Sequence, residues 1–502
     1  MLTSSPQFTR MSLIISSRAI AFAAFSTLSC TSFGDSPPQD PGVQLVATRG
    51  SAPSACPNTS MQPFDPAPIA GLTPEQLKFF CAGLAEFRKV DAVKADGLGP
   101  TMNLNSCAAC HAYPASGGSS PPSSIGNPQI AFLRKYKPGT NVAPSFITQD
   151  GPVREVRFIR DASGKPDGGV HSLFTITGLP DADGCSIPQP DFAKEFKGIN
   201  KPGNNAIFRI PTPLFGAGLI EQIEDSALVA NQTAKSKFKY DAIGFLPIGR
   251  LNLVRAGHTS GSSNRNGNDG TIARFGWKAQ NKSLLVFAGE AYNVEMGISN
   301  ELFETERNEQ KECQFHTVPN DTSASENLAA TTVDARYDAY SDIEKFAAFM
   351  RFSAPRIPSK DTPGGADSIG RGREDFERIG CVQCHTPELR TSVNSTVAAL
   401  RSQPVRLFSD LALHDMGTNL ADGISQGQAG PREFRSAPLW GLGQRSFFLH
   451  DGRSKNLIDA IEAHYSRGII GKGGSEANSV INRYKRLTTS EKQDLLNFLR
   501  SL

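Results

Sequence analysis

The sequence lacks any stretch of eighteen uninterrupted apolar residues, so no helix is predicted to cross a bilayer. It has little net charge: 52 basic and 49 acidic residues leave +3, too even a balance to call for nucleic acid or an anionic membrane surface. Hydrophobic residues make up only 38% of the chain against 46 glycines and 34 prolines, which predicts many turns and long connections between modest helices. Tryptophan occurs only twice, at Trp277 and Trp440. Beyond two CxxCH segments there is no CxxC pair, so nothing in the residues points to thiol oxidation.

What the chain does have is length and cysteine. Its 502 residues are enough for two or three packed domains. Arg10 and Arg18 precede the apolar run Ala19–Leu28, which ends in Ser29 and Cys30, so residues 1–30 read as an export signal, with Met11 as a second candidate start. The mature protein is therefore expected in the periplasm. It is either soluble or held by a lipid on Cys30, although Thr27-Leu28-Ser29-Cys30 matches a lipoprotein box poorly. Nine cysteines suit an exported chain: four lie in the CxxCH segments and Cys30 in the leader. The remaining Cys56, Cys81, Cys185 and Cys313 allow three pairings, Cys56 with Cys81 and Cys185 with Cys313 among them; isolated buried thiols are the alternative.

Residues 31–68 are rich in proline, serine and glycine and read as a linker. Order is expected from Thr73-Pro74-Glu75-Gln76, a cap-then-proline helix start followed by Leu77, Phe80, Cys81, Leu84 and Phe87 at helical spacing. Two distant segments then repeat a pattern. Phe208-Arg209-Ile210-Pro211-Thr212-Pro213-Leu214-Phe215-Gly216-Ala217-Gly218 is echoed by Phe434-Arg435-Ser436-Ala437-Pro438-Leu439-Trp440-Gly441-Leu442-Gly443, each downstream of a CxxCH. The amphipathic stretch Ile343–Arg351 is likewise echoed by Lys492–Leu502. The expected fold is mainly α, with two cytochrome c-like domains at 69–354 and 355–502 and a boundary in the Pro/Gly-rich stretch Ala354–Asp367. The N-terminal one is enlarged by insertions with some β: a partly strand-like segment around Val153–Thr177, and Asn231–Gly270 with the low-complexity run Gly257–Asn268.

The chemistry rests on Cys107-Ala108-Ala109-Cys110-His111 and Cys381-Val382-Gln383-Cys384-His385. Two thiols three positions apart reach the two vinyl groups of one haem, and the following histidine meets the iron, so two covalently attached haems c are expected. A thioredoxin-like pair would not need the histidine twice, and half a zinc site would need further paired ligands. The second axial ligands decide function, because a six-coordinate iron passes electrons whereas an open one binds peroxide or oxygen. Candidates are His464, in a helical stretch after His450-Asp451-Gly452-Arg453; Met416, in Leu413-His414-Asp415-Met416-Gly417; and Met296, in Asn293-Val294-Glu295-Met296-Gly297. A lone methionine or histidine is more often core or surface than ligand.

From about Leu72 to Leu502 the chain resembles the di-haem oxidoreductases, also called thiol oxidoreductases, relatives of bacterial di-haem cytochrome c peroxidases. The resemblance lies in Asp96–Pro100 before the first haem motif, Arg274-Phe275-Gly276-Trp277-Lys278, Leu413–Gly417, Pro438–Gly443 and His450–Arg453. It implies that His464 is the distal ligand of the C-terminal haem, with Met416 as the alternative, and that this haem transfers electrons. It implies that Glu295 assists peroxide cleavage at a reactive N-terminal haem and that Trp277 relays electrons between the haems; an exposed loop carboxylate and a core aromatic are the bland readings of the same residues. Trp440 reads as packing. One departure counts against peroxide chemistry: the relatives have a glutamine ten residues before their glutamate, where this chain has Leu285. The relatives also hold calcium between domains, but no complete ligand set can be matched here, so calcium stays open and unassigned. The expected partners are a small redox protein or a quinone-linked electron donor or acceptor, and peroxide or another small substrate. The rival readings are a di-haem electron-transfer cytochrome without enzymatic activity and an oxygenase sharing the open haem.

Overall fold

In the computed structural model each CxxCH motif is gripped by a pair of crossed helices, and the two grips repeat one another. The helix Pro74–Arg88 begins with a capping box between Thr73 and Gln76, and buries Phe80, Gly83, Leu84 and Phe87 at helical spacing. It crosses Asp342–Phe352, itself started by a Ser341–Glu344 capping box. In the second half Ala366–Arg378 crosses Thr489–Ser501, which starts on a Thr488–Glu491 box. Both crossings are close enough to require glycine: a Cβ on Gly83 would lie 2.2 Å from the Lys345 carbonyl oxygen, and one on Gly372 would lie 1.9 Å from that of Asp494. A matched phenylalanine from each helix packs there, Phe87 with Phe349 at 4.9 Å and Phe376 with Phe498 at 5.4 Å between ring centroids.

The structure describes residues 36–45, 56, 64–135, 142–167, 169–171, 179, 181–187, 191–237, 249–252, 271–305, 311–316, 319–324, 337 and 339–502. The export signal, Cys30 and the low-complexity run 257–268 lie outside them. Apart from Ser36, every described residue belongs to one compact unit, Pro37–Leu502. It is mainly helical, with small sheets. A three-stranded antiparallel sheet has Glu155–Phe158 at its centre, Val170–His171 on one side and Ala206–Arg209 on the other. This is the strand-like insertion expected around Val153–Thr177. Leu413–Asp415 pairs antiparallel with Glu433–Arg435.

The repeated segments share a local fold. Each starts as a strand, Ala206–Arg209 or Glu433–Arg435, then reaches a glycine in the left-handed region (Gly216, φ 74°; Gly441, φ 72°) that opens a short helical turn. Two large clusters make up most of the core. One gathers Phe80, Phe87, Tyr292, Phe346 and Phe349 with the inserted sheet and reaches into the C-terminal half through Leu400, Leu407, Leu411 and Trp440, whereas the buried residues of the other run from Phe376 to Leu502. Cys56 pairs with Cys81 and Cys185 with Cys313, the pairing written above, and the four CxxCH cysteines stay free. Residues 39–44, within the stretch read as a linker, hold to the C-terminal half: Asp40 accepts from Arg500 Nε at 2.6 Å, and Gln44 N–H donates to the Gly443 carbonyl at 2.8 Å. Among the described residues no helix is long and apolar enough to cross a membrane.

Candidate functional site

Each motif opens onto its own large cavity. The first turn of helix, Cys107–Cys110, lets both thiols face one way, and Cys107, Cys110 and His111 line a cavity enclosing about 1320 Å³ of empty space, its mouth included. Cys381, Cys384 and His385 line a second of about 1510 Å³. The two histidines are oriented alike. Nδ1 of His111 lies 3.1 Å from the Gly118 carbonyl and Nδ1 of His385 lies 3.0 Å from that of Phe408, which fixes the ring and leaves Nε2 to face the cavity. Phe87 edges onto His111 at 6.0 Å and Phe376 packs beside His385 at 6.3 Å. Burial pulls both imidazoles down to about 4, so they stay neutral, the form that ligates a metal.

This donor set fits haem c. Four thiols remain unpaired in a chain whose other described cysteines are disulfide-bonded, and each pair stands beside a histidine in the wall of a cavity whose lining is mostly apolar. The first cavity also has polar atoms without a protein partner, Gln280 Oε1 and Arg209 Nε, as expected where a bound group supplies the rest.

The second cavity brings His464 and Met416 together with His385. His464 repeats the anchoring seen in the motif histidines, with Nδ1 2.7 Å from the Ala460 carbonyl. Met416 is buried and lines the same cavity. His414, two residues earlier, is committed elsewhere: Nδ1 lies 3.0 Å from Glu476 and Nε2 3.2 Å from Asp410, and Asp410 also takes the Lys235 ammonium at 2.8 Å. Against the pull of burial, the neighbouring Cys384 and the Asp410 carboxylate hold its pKa well above the usual histidine range. His450 stacks on Phe434 at 4.4 Å and lines the same cavity.

The first cavity is more polar. The helix Leu284–Met296, capped by Ser283, turns Phe287, Ala291, Val294 and Glu295 towards it at intervals of one and two turns. Glu295 is accessible only in the sense that its side chain opens into this cavity. Desolvation by the surrounding protein and the nearby Glu155 raise its pKa to about 8, so its carboxyl keeps the proton at neutral pH. Met296 is buried in the same wall. Leu285, the departure noted in the sequence, is not among the lining residues; the glutamines that line the cavity are Gln129 and Gln280.

Sequence reasoning missed what the inserted sheet contributes. In Glu155-Val156-Arg157-Phe158 the period of two sends Val156 into the core and turns Glu155 and Arg157 to the cavity, with Arg209 directly across from Glu155. Arg157 Nε donates to Glu155 at 2.7 Å, and Arg209 is bound to Asp422 at 2.8 Å. The alternation was the available signal, but nothing local says which surface a strand will face.

Trp277 lines both cavities. Its Nε1–H donates to the Ile210 carbonyl at 3.0 Å and its ring meets His450 edge-on at 6.4 Å. Trp440 is buried in the first core against Gly216. Among the described residues no group of three or more His, Cys, Asp or Glu side chains is placed to hold a metal ion, and the calcium question stays unassigned.

Among solved structures the chain is similar to the diheme peroxidase BthA from Burkholderia thailandensis, at 16% identity over 50% of this chain and 75% of that one, with a TM-score of 0.25. It is also similar to a MauG-like protein associated with microbial copper homeostasis (17%, 56% and 89%, TM-score 0.25). A third likeness is to hydrazine synthase from Kuenenia stuttgartiensis (19%, 32% and 55%, TM-score 0.22), so the chain spans about half the length of that relative. At these TM-scores none of the three bears on the reading. No curated protein matches the chain. The family model described as "Di-haem oxidoreductase, putative peroxidase" matches residues 203–502, a span that holds Trp277, Glu295 and Cys381–His385 and leaves the first motif upstream. That span exceeds half of the chain, which therefore belongs to the di-haem oxidoreductase family, whose name implies two haems.

Proposed function

We propose that this chain is a periplasmic di-haem c-type oxidoreductase that reduces peroxide at its N-terminal haem and transfers electrons through its C-terminal one, each haem in a cytochrome c-like domain. The observation that carries the reading is the asymmetry of two otherwise repeated cavities: Trp277 lines both, the first has Glu295 in its wall, and the second gathers His464 and Met416 with His385.

Haem, when bound, supplies one-electron chemistry and, where a coordination position is open, a binding site for peroxide. The chain's residues do the rest. Cys107 with Cys110, and Cys381 with Cys384, form the thioether anchors, while His111 and His385 present Nε2 because their Nδ1 atoms are held by backbone carbonyls. His464, anchored likewise through Ala460, completes the second site and makes it an electron-transfer centre, with Met416 as the alternative. Glu295 Oε holds and moves a proton at the peroxide oxygens; its raised pKa suits a group that must give a proton as well as take one. Arg157 and Glu155 keep this wall polar and ion-paired. The Trp277 ring, fixed by Ile210, bridges the two cavities as an electron relay. Electrons come from a small redox protein or a quinone-linked donor.

Glu295→Gln tests the assignment. The substitution keeps shape and removes the titrating proton, so peroxide turnover falls by about 10²–10⁴, the usual contribution of general acid–base catalysis, with both haems and their spectra retained. Turnover at the wild-type rate removes Glu295 from the mechanism.

A further inference from the structure

Arg435, buried, and Arg445, half-buried, are cations without a carboxylate. Arg435 is 8% exposed; its Nε donates to the Gly276 carbonyl at 2.9 Å and its Nη1 to that of Ser436 at 3.3 Å. Arg445 donates through Nη2 to the Pro438 carbonyl at 3.0 Å, and its Nε is buried with no hydrogen-bond partner. Among the described residues neither forms an ion pair. Burial lowers both guanidinium pKa values to about 10, and the charge of Arg445 adds to the effect on Arg435. Four other buried cations are treated otherwise: Arg209 has Asp422, Lys278 has Asp422, Arg274 has Asp225 and Lys235 has Asp410. Arg356, also buried without an ion pair, lies instead over the Phe215 ring at 3.9 Å. Arg209 is the sharpest comparison, because it stands at the position of the repeat equivalent to Arg435 and lines the other cavity with its carboxylate already in place. Two like charges taken out of water with only carbonyls for company are costly unless an anion joins them.

Their position says where the anion sits. Both arginines line the second cavity and also a smaller one beside Trp277, whereas Cys381, Cys384 and His385 line the second cavity alone. The arginines therefore stand where the second cavity borders the smaller one, a part of the wall that the thioether anchors do not share, and a haem attached through its vinyl groups carries its two propionates on the edge opposite the thioethers. We propose that Arg435 and Arg445 form a carboxylate clamp for the propionates of the haem anchored at Cys381 and Cys384. Arg435 also ties that clamp to the relay loop, since its backbone N–H donates to the Trp277 carbonyl at 2.9 Å and its Nε to that of Gly276. It is thereby a positioning residue for Trp277. The clamp rests on the di-haem reading above.

The test is a spectroelectrochemical titration of each haem in the intact chain, preceded by a pyridine-haemochrome count of haems per chain. Removing a cation next to a propionate leaves more negative charge beside the iron and favours the ferric form. Arg445→Gln and Arg435→Gln should each shift the ferric–ferrous equilibrium of the His385 haem about tenfold towards ferric, about 59 mV for a one-electron couple, with the His111 haem unmoved. Arg356→Gln, which removes a buried cation lining neither large cavity, should move neither haem. Should a Gln variant lose its second haem, Arg435→Lys and Arg445→Lys decide: a compact ammonium without the guanidinium fork keeps the haem and gives a smaller shift of the same sign, whereas wild-type values in both overturn the clamp. Two haems with unmoved potentials in the Gln variants, or a shift confined to the His111 haem, overturn the clamp alone. Fewer than two haems in the wild-type chain overturn the di-haem reading and the clamp with it.

Discussion

Replacing Gly372 by alanine puts a number on the helix crossing that grips the second motif. The added Cβ would lie 1.9 Å from the Asp494 carbonyl oxygen and 2.9 Å from the Leu495 nitrogen, both backbone atoms of Thr489–Ser501 that no rotamer change can move aside. The oxygen must retreat by about 1.5 Å to reach an ordinary 3.4 Å contact. Forcing packed elements apart costs about 1–3 kcal/mol, and a clash with rigid backbone belongs at the upper end. Alanine regains about 1 kcal/mol of helix propensity over glycine, which leaves a net loss of about 2 kcal/mol. At about 2.1 cal/mol/K of unfolding entropy per residue, a unit the size of Pro37–Leu502 loses about 2 °C of melting midpoint. Gly372 shares its helix with Phe376, which packs both on Phe498 of the displaced helix and beside His385, so the loss should be seen when melting is followed through the absorption of the C-terminal haem. Gly83→Ala, with 2.2 Å to Lys345, should act in the same direction on the N-terminal haem, where Phe87 meets His111. A midpoint for Gly372→Ala equal to or above the wild type would refute the reasoning.

Three further outcomes are expected. His464→Ala should convert the C-terminal haem from low to high spin while Met416→Ala leaves it low-spin; the reverse pattern would make Met416 the ligand. Trp277→Phe keeps an aromatic ring but removes the Nε1–H donated to Ile210, and should slow electron transfer between the haems, as followed by stopped-flow, without altering either static spectrum; an unchanged rate contradicts the relay. Cys185→Ser opens a disulfide that closes a 128-residue separation and should cost about 2–5 kcal/mol in denaturant unfolding; no change in midpoint would show that this crosslink contributes nothing to stability.

The parts of the chain legible from sequence were those in which one local pattern carries one meaning. CxxCH fixes two thiols and a histidine within a single turn, so both motifs could be read and both open onto a cavity. The repeat at Phe208 and Phe434 was visible because strand, left-handed glycine and helical turn each impose a residue preference. The disulfides Cys56–Cys81 and Cys185–Cys313 form one of the three pairings the sequence left open. Long-range facing was not legible. That Glu155 and Arg157 look into the first cavity depends on a sheet closed by Ala206–Arg209, some fifty residues on, and that Arg435 and Arg445 lack carboxylates depends on which acids the fold brings near them. His414 looked like part of a ligand motif, yet Asp410 and Glu476, the latter 62 residues away, turn it into an ion pair.

The central claim is that two repeated cavities hold unequal haems, one closed and one open. Electron paramagnetic resonance of the fully oxidised protein measures this directly. One low-spin and one high-spin ferric signal per chain, the high-spin one altered by added peroxide, is the predicted result. Two low-spin signals that ignore peroxide would contradict the account and make the protein an electron carrier.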